Sequence, residues 1–431
     1  MKSLMILPAA LLLVAAAPSP DPAELKTSVA ALVSFGTRHT LSSATDPKRG
    51  IGAARNWGAA RFAAIGKACG GCLTVERVAD RFTGPRAPDG VVVEDVVAIQ
   101  RGTTDPNRVI ILQGHIDSRV SDVMDSKSDA PGANDDASGS ALVIEAARIL
   151  SREKFPATIV YALLSGEEQG LWGGKLLAAT AKSRGWRIAG VLNNDIVGNI
   201  HGQSGAMVAD RIRVFSEGLS AAADLPAAKA VRQIGGEDDG PSRALAKLVR
   251  RVGTPGAKTL EVVTIHRPDR FGRGGDQTPF LEAGYPAVRF SEAVENYDRQ
   301  HQNLRTENGV VYGDTIGGVD FPYLARVTAL NIAVARELAN APAAPADVTI
   351  AGALKADTTV AWGAVPAAAG YRIRWRRADR PDWTDARDVP AGTQTVVLRG
   401  INIDDTFFGV SALSAGGAES VVTFAGAAPR R

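Results

Sequence analysis

Cysteine is almost missing from this 431-residue chain, which holds only Cys69 and Cys72, both inside one C-G-G-C element. A structural zinc site built on four soft ligands needs two more of them nearby, and the sequence does not supply them. In a cytosolic protein this spacing suggests redox chemistry; in an exported one it reads as a small loop-closing disulfide, the expectation adopted here. An excess of one charge is also lacking. The net charge is +3, and no basic run carries interleaved aromatics, so nucleic acid is excluded as a partner. Long apolar runs are absent beyond the first residues, and no later stretch could span a bilayer.

The first seventeen residues are laid out differently. Lys2 supplies a positive start, Leu4 to Val14 an apolar stretch, and Ala15-Ala16-Ala17 a small-residue cleavage site, as in a secretory signal. A membrane anchor is the rival reading, but the run falls short of roughly 20 residues and stops at Pro18-Ser19-Pro20. No cysteine stands at the cleavage site to take a lipid. The mature protein is therefore expected to be secreted or periplasmic, without stable membrane insertion. Hydrophobic residues at 45% and charged residues at 22% are ordinary for a globular chain, and the length suggests two domains.

Helical spacing is read over residues 20–35, with Asp21 or Pro22 near the start and Gly36 at the end, and over 52–67. Strand-like runs cover 91–100, 109–113, 158–164 and 188–192, separated by helical patterns at 140–151 and 170–183. This alternation predicts an α/β fold with a mixed, mostly parallel central sheet flanked by helices. A further helix is read over 321–338. Residues 341–347, rich in Ala and Pro, then form a linker that closes a domain of residues 20–340. Beyond it, short alternating strands are read at Thr359, Tyr371, Thr395 and Thr406. They predict an all-β sandwich over 348–426. Trp362, Tyr371 and the F-F-G-V-S-A strand followed by A-G-G-A-E-S resemble a fibronectin type III domain.

Against this background five metal-ligand side chains recur: His115 in G-H-I-D-S, Asp135 in G-A-N-D-D-A-S-G, Glu168 in S-G-E-E-Q-G, Asp195 in N-N-D-I-V-G and His301 in R-Q-H-Q-N. Two imidazoles and three carboxylates suit a pair of zinc-like ions, since carboxylate oxygen can bridge while imidazole nitrogen sets geometry. His115, Glu168 and Asp195 each follow the end of a predicted strand, the rim where open α/β sheets bind ligands. Asp117, two residues past His115, is placed to hydrogen-bond its imidazole and to select the nitrogen that faces a metal. Gly132, Ala133, Ala137, Ser138 and Gly139 permit a tight turn around Asp135, while Asp136 or Ser138 could equally cap the helix that follows. Glu167 and Glu168 are adjacent and cannot both point one way, which suits one ligand and one group that moves protons. Taken singly, each motif has a bland alternative: a strand-end histidine, acids at a helix start, a turn.

The stretches P-G-A-N-D-D-A-S-G-S-A, G-E-E-Q-G-L-W-G, N-N-D and G-G-D-Q-T-P-F-L-E-A-G-Y-P-A-V-R-F, with G-H-I-D-S and His301, resemble the co-catalytic zinc aminopeptidases, metallopeptidase family twenty-eight. Glutamate carboxypeptidase II and the transferrin receptor are relatives. The resemblance covers residues from about 90 to 335. It implies two zinc ions per chain: Asp135 bridging both, His115 and Asp195 completing one site, Glu168 and His301 the other, and Glu167 as general base and acid, with Asp117 in the catalytic set. It implies peptide substrates with a free N-terminus. The interval from Asp195 to His301 is longer than in compact members, which predicts an elaborated substrate-side loop. His39, His201 and His266 match no ligand position. The alternatives weighed are a carboxypeptidase or acyl-amino-acid hydrolase on the same di-metal site, a one-zinc transferase of the glutaminyl cyclase type, and an inactive binding ectodomain.

Overall fold

The protein is described by a computed structural model over residues 19–253 and 260–428; the predicted signal, residues 1–17, lies outside the described residues. In chain order the first elements are α1 (Pro22–Val33), α2 (Ile51–Ala68), β1 (Thr74–Gly84), β2 (Ala87–Gln100), β3 (Asp105–His115), α3 (Ala137–Leu150) and β4 (Ala157–Leu164). There follow α4 (Glu167–Gly170), α5 (Trp172–Ser183), β5 (Arg187–Asn194), β6 (Arg211–Phe215), α6 (Leu225–Gln233), α7 (Pro241–Gly253), β7 (Glu261–Ile265), α8 (Thr278–Glu282), β8 (Ala287–Glu292), a hairpin of β9 (Arg305–Glu307) and β10 (Val310–Tyr312), and α9 (Phe321–Asn340).

β1 to β8 form one sheet in the order β1-β2-β4-β3-β5-β8-β6-β7. Its centre, β4, β3, β5 and β8, is parallel, while β1, β2 and β4 pair antiparallel at one side and β6 meets β8 antiparallel at the other. The sheet is thus mixed, with a parallel heart. The physical cause is strand parity: successive side chains point to opposite faces. Ile110, Leu112, Ile159, Tyr161 and Leu163 face one layer, where α1, α3 and α9 pack on each other. Val109, Ile111, Val160, Ala162 and Leu164 face the other, beneath α5 and α8. A strand covered on both faces reads as an unbroken apolar run, and every residue of β4 (A-T-I-V-Y-A-L-L) is buried.

Capping sets the helix starts. The Asp21 carboxylate accepts from the Ala23 N–H at 2.8 Å with a proline in the first turn, and Asp320 does the same for Tyr323 at 2.7 Å. Cys69 and Cys72 form a disulfide just after α2. The long interval between Asp195 and His301 builds more than a loop. It supplies β6, α6, α7, β7, α8 and β8, which widen the sheet, because the apolar faces of these short segments are buried against its edge. From the same interval the stretch 266–277, without helix or strand, brings Arg270, Gly272, Arg273 and Gly274 to the rim beside Asp195 and His301.

The tail holds β11 (Thr349–Ala351), β12 (Thr358–Ala361), β13 (Gly370–Arg377), β14 (Asp385–Pro390), β15 (Thr395–Leu398), β16 (Thr406–Leu413), β17 (Thr423–Phe424) and β18 (Gly426–Ala427). They form two four-stranded sheets, β15-β12-β11-β18 and β14-β13-β16-β17. Val360, Trp362 and Leu398 from one meet Tyr371, Ile373, Phe408 and Val410 from the other in a common core. The sandwich is also fastened to the larger unit. Arg376, 1% exposed, pairs with Asp239, which takes Lys247 Nζ at 2.6 Å. Glu419 accepts from Arg374 Nε at 2.7 Å and lies 3.3 Å from Arg251 of α7.

Candidate metal centre

His115 ends β3, Glu168 lies in α4 directly after β4, and Asp195 follows β5, so three of the five predicted ligands stand at carboxyl ends of neighbouring parallel strands. Asp135 comes from the turn before α3. His301 comes from the turn between β8 and β9, with φ of 54°. All five converge. Donor atoms of His115, Asp135 and Asp195 lie within 4.8 Å of one another, as do those of Asp135, Glu168 and His301. Asp135 belongs to both groups: its Oδ1 is 3.1 Å from His115 Nε2 and its Oδ2 is 2.9 Å from His301 Nε2.

The donor set fits divalent zinc. In this arrangement carboxylates press on imidazole lone pairs, and the strain is relieved by protonation. Burial disfavours charge on His115, but Asp117, Asp135 and Asp195 outweigh it and raise the imidazole well above its ordinary value. His301 is pushed up to about 9, with Glu168 and Asp135 overcoming its desolvation. A dication accepted by the same nitrogens and oxygens would replace those protons. Glu168 Oε1 is buried without a hydrogen-bond donor, although His301 Nε2 is 3.0 Å away. Such an orphaned oxygen suits a cation.

Each ligand is held from behind. His115 Nδ1 faces the Asp117 carbonyl at 3.1 Å, with the Asp117 carboxylate at 3.5 Å, which leaves Nε2 for the centre. Asp117 is fully buried and accepts from Thr40 Oγ1 at 2.8 Å and from the N–H groups of Glu167 and Glu168 at 3.3 and 3.2 Å. It is absent from the lining of the cleft. Asp117 packs behind His115, as expected of a residue that orients the imidazole, and it anchors the turn that carries both glutamates. Burial raises the Asp117 carboxyl, and its hydrogen bond to His115 brings the net shift below the ordinary value.

Asp136 does what capping chemistry anticipated. Its carboxylate accepts from Gly139 N at 3.0 Å, opening α3, and also from His115 N at 3.0 Å. Glu167 and Glu168 part company. Burial and the nearby Asp195, Glu168 and Asp276 raise the Glu167 carboxyl well above the usual range, His115 opposing. For Glu168 burial is outweighed by His301 and Arg119, and the net shift is downward.

Several supports escaped sequence reasoning. Arg289, fully buried, bridges Asp195 at 2.9 Å and Asp269 at 3.0 Å. Arg119 donates to Glu168 Oε2 at 2.8 Å and sets an Nη2 2.6 Å from His301 Nδ1. Asp314 accepts from Asn134 N and Asp135 N at 2.9 and 2.7 Å. Arg38 ties Ile116, Pro131 and Gly132 carbonyls together from α1's side. Arg289 sits inside a motif stretch already singled out, but nothing in the local pattern of the others reveals a partner 49 or more residues away. The spare histidines take no part: His39 is buried against the Val123 carbonyl at 3.0 Å, His201 is exposed, and His266 lies 3.4 Å from Asp238.

Two imidazoles and three carboxylates at the carboxyl rim of an α/β sheet, with a free acid beside them, define the class of metal-dependent hydrolases. Residues 95–313 match Peptidase family M28. A probable zinc metalloprotease of Leptosphaeria maculans is 46% identical over 385 residues, 88% of each chain, and one of Pyrenophora tritici-repentis is 43% identical over 93% of this chain and 84% of its own. The chain belongs to Peptidase family M28 and is a zinc metallopeptidase. Among solved structures, the Legionella pneumophila aminopeptidase LapA superposes with a TM-score of 0.52 at 19% identity, over 74% of this chain and 72% of its own. The Fimbriiglobus ruber glutaminyl cyclase gives 0.53 at 19% identity, over 74% and 95%. At these identities the likeness is one of fold, shared by hydrolase and transferase alike.

Proposed function

We propose that the protein is an exported aminopeptidase that binds two zinc ions and releases N-terminal residues from peptides. The observation that carries this reading is the sharing of Asp135 between two ligand clusters, with Glu167 beside both and used by neither. His115, Asp135 and Asp195 would hold one ion, and Asp135, Glu168 and His301 the other. Zinc bound there supplies Lewis acidity, polarising a peptide carbonyl and making water a stronger nucleophile. Glu167 takes the proton of the attacking water and returns it to the leaving nitrogen. A carboxyl raised by burial suits a group that must both accept and give a proton near neutrality. Arg289 and Arg119 keep Asp195 and Glu168 aimed inward, and Asp117 fixes the His115 tautomer. Export is supported by the N-terminal layout and by the Cys69–Cys72 disulfide.

The test is a metal count on the purified protein together with hydrolysis of aminoacyl chromogenic substrates, free and N-acetylated. Two zinc ions, cleavage confined to free amines and loss of activity to a chelator are expected. Equal cleavage of acetylated substrates would end the aminopeptidase assignment.

A further inference from the structure

The cleft over the two ligand clusters encloses about 510 Å³, and four arginines line it: Arg86, Arg119, Arg270 and Arg273. Its lining carboxylates are Asp135, Glu167, Glu168 and Asp195, all already placed in the centre. Two of the guanidinium groups are occupied. Arg119 is bonded to Glu168 and His301. Arg270 is 9% exposed and pinned by Asp269 and Glu295, each at 3.2 Å.

The other two are engaged less fully. Arg86 stands on the turn joining β1 to β2, with one hydrogen bond to the Glu168 carbonyl at 2.5 Å and no ion pair among the described residues. Arg273 has a third of its side chain exposed, and its Nη1 donates to Gln300 Oε1 at 3.3 Å. Its carboxylate neighbour Glu295, 3.6 Å off, is drawn closer by Arg213 at 2.6 Å and Arg270 at 3.2 Å. One carboxylate thus faces three guanidinium groups. The four lining carboxylates all face the centre, where cations would engage them, which leaves the guanidinium groups at the mouth without an equal countercharge. A carboxylate finds two planar forks built for it.

We propose that the cleft selects substrates presenting a carboxylate within a residue or two of the scissile bond, held by Arg86 and Arg273. The shared chemistry has two sources: an acidic N-terminal side chain, or the free C-terminus of a dipeptide. A cleft of this size takes one or two residues, which keeps either source within reach. The inference rests on the aminopeptidase reading and names its substrate class.

The zinc-loaded enzyme is assayed on two matched pairs, the anilides of Glu and Gln and the dipeptide Leu-Leu against its C-terminal amide, with Leu anilide as a neutral reference. The carboxylate member of one pair should exceed its partner in kcat/KM by about 10- to 100-fold, the worth of a charge-assisted hydrogen bond. The favoured pair identifies the source. In Arg86→Glu and Arg273→Glu that ratio should fall below one, and Arg→Gln at each position should bring it toward one. Ratios within about two-fold in both pairs, or a preference that survives both charge reversals, would overturn the proposal. Failure on every unblocked substrate, Leu anilide included, would instead sink the aminopeptidase reading. The selection is then decided by binding alone, from calorimetric titration of both matched pairs, where equal affinities within each pair overturn it.

Discussion

Glu167 and Glu168 are chain neighbours whose surroundings assign them opposite chemistry. Arg119 and His301 hold Glu168 as an anion, while burial and three other carboxylates keep Glu167 ready to carry a proton. Glu167→Gln keeps the shape of the turn and removes only the proton shuttle. It should retain both metals by elemental analysis and lose roughly 10²- to 10⁴-fold in kcat; loss of metal instead would mean that base and ligand have been exchanged. Asp314 poses a different problem. Its carboxylate is buried, is raised to about 7 chiefly by desolvation, and accepts the backbone N–H groups of Asn134 and Asp135. Asp314→Ala would orphan two buried donors at roughly 1–3 kcal/mol each and free the shared ligand to wander. Zinc affinity should fall by about 10- to 100-fold, measured by chelator competition. The five side chains that converge, and Glu167 beside them, were legible because each falls in a short motif of unusual composition. Asp314, Arg119 and Arg38 were not, since their value lies in contacts that only the folded chain creates.

The elements that were legible are those whose burial is uniform. β4, covered on both faces, is one apolar run, and α3 is buried along nearly its whole length. β1 and β14 left no mark, because their residues are mostly exposed and alternate weakly. The predicted strand at 91–100 makes up most of β2, which pairs with β1 along nearly its whole length; the first residues of β2 extend this hairpin to the turn that carries Arg86 to the rim. How closely these elements meet is set by glycine at one place above all. A Cβ on Gly139 would stand 2.2 Å from the Asn194 carbonyl oxygen at the end of β5 and 2.5 Å from the Asp136 carboxylate. Backbone and a buried cap cannot yield cheaply. Gly139→Ala should cost at least the upper end of the roughly 1–3 kcal/mol typical of overpacking, and it should push Asp136 off its bond to His115. Thermal unfolding with and without zinc reads both effects; an unchanged melting temperature would mean that the α3–β5 contact is softer than drawn.

At the scale of the whole molecule, the ion pairs of the C-terminal sandwich argue that it is a fixed part of the enzyme. Glu419 is 1% exposed, accepts from Arg372, Arg374 and Ser411 of its own sheet, and meets Arg251 of α7 across the junction, while its N–H donates to Glu337 of α9. Burial alone would raise this carboxyl; its bond to Arg374 and the charge of Arg251 win, holding it down to about 2 against an ordinary 4.5. A carboxyl depressed in the folded state contributes stability that is complete above the unfolded value and disappears as pH falls through the folded one. The contribution, on the order of 3 kcal/mol at neutral pH, should therefore drain away between about pH 4.5 and pH 2. Glu419→Gln mimics the protonated state at every pH. Its melting temperature should lie well below that of the parent at pH 7, and the gap should close on acidification as the parent loses its charge. Arg251→Met isolates the share that crosses the junction. Combined with Glu419→Gln in a double-mutant cycle, it should show coupling at pH 7 and none near pH 2. A pH-independent gap would place the stabilising charge elsewhere, and zero coupling would confine the contribution of the Glu419 carboxylate to the sandwich.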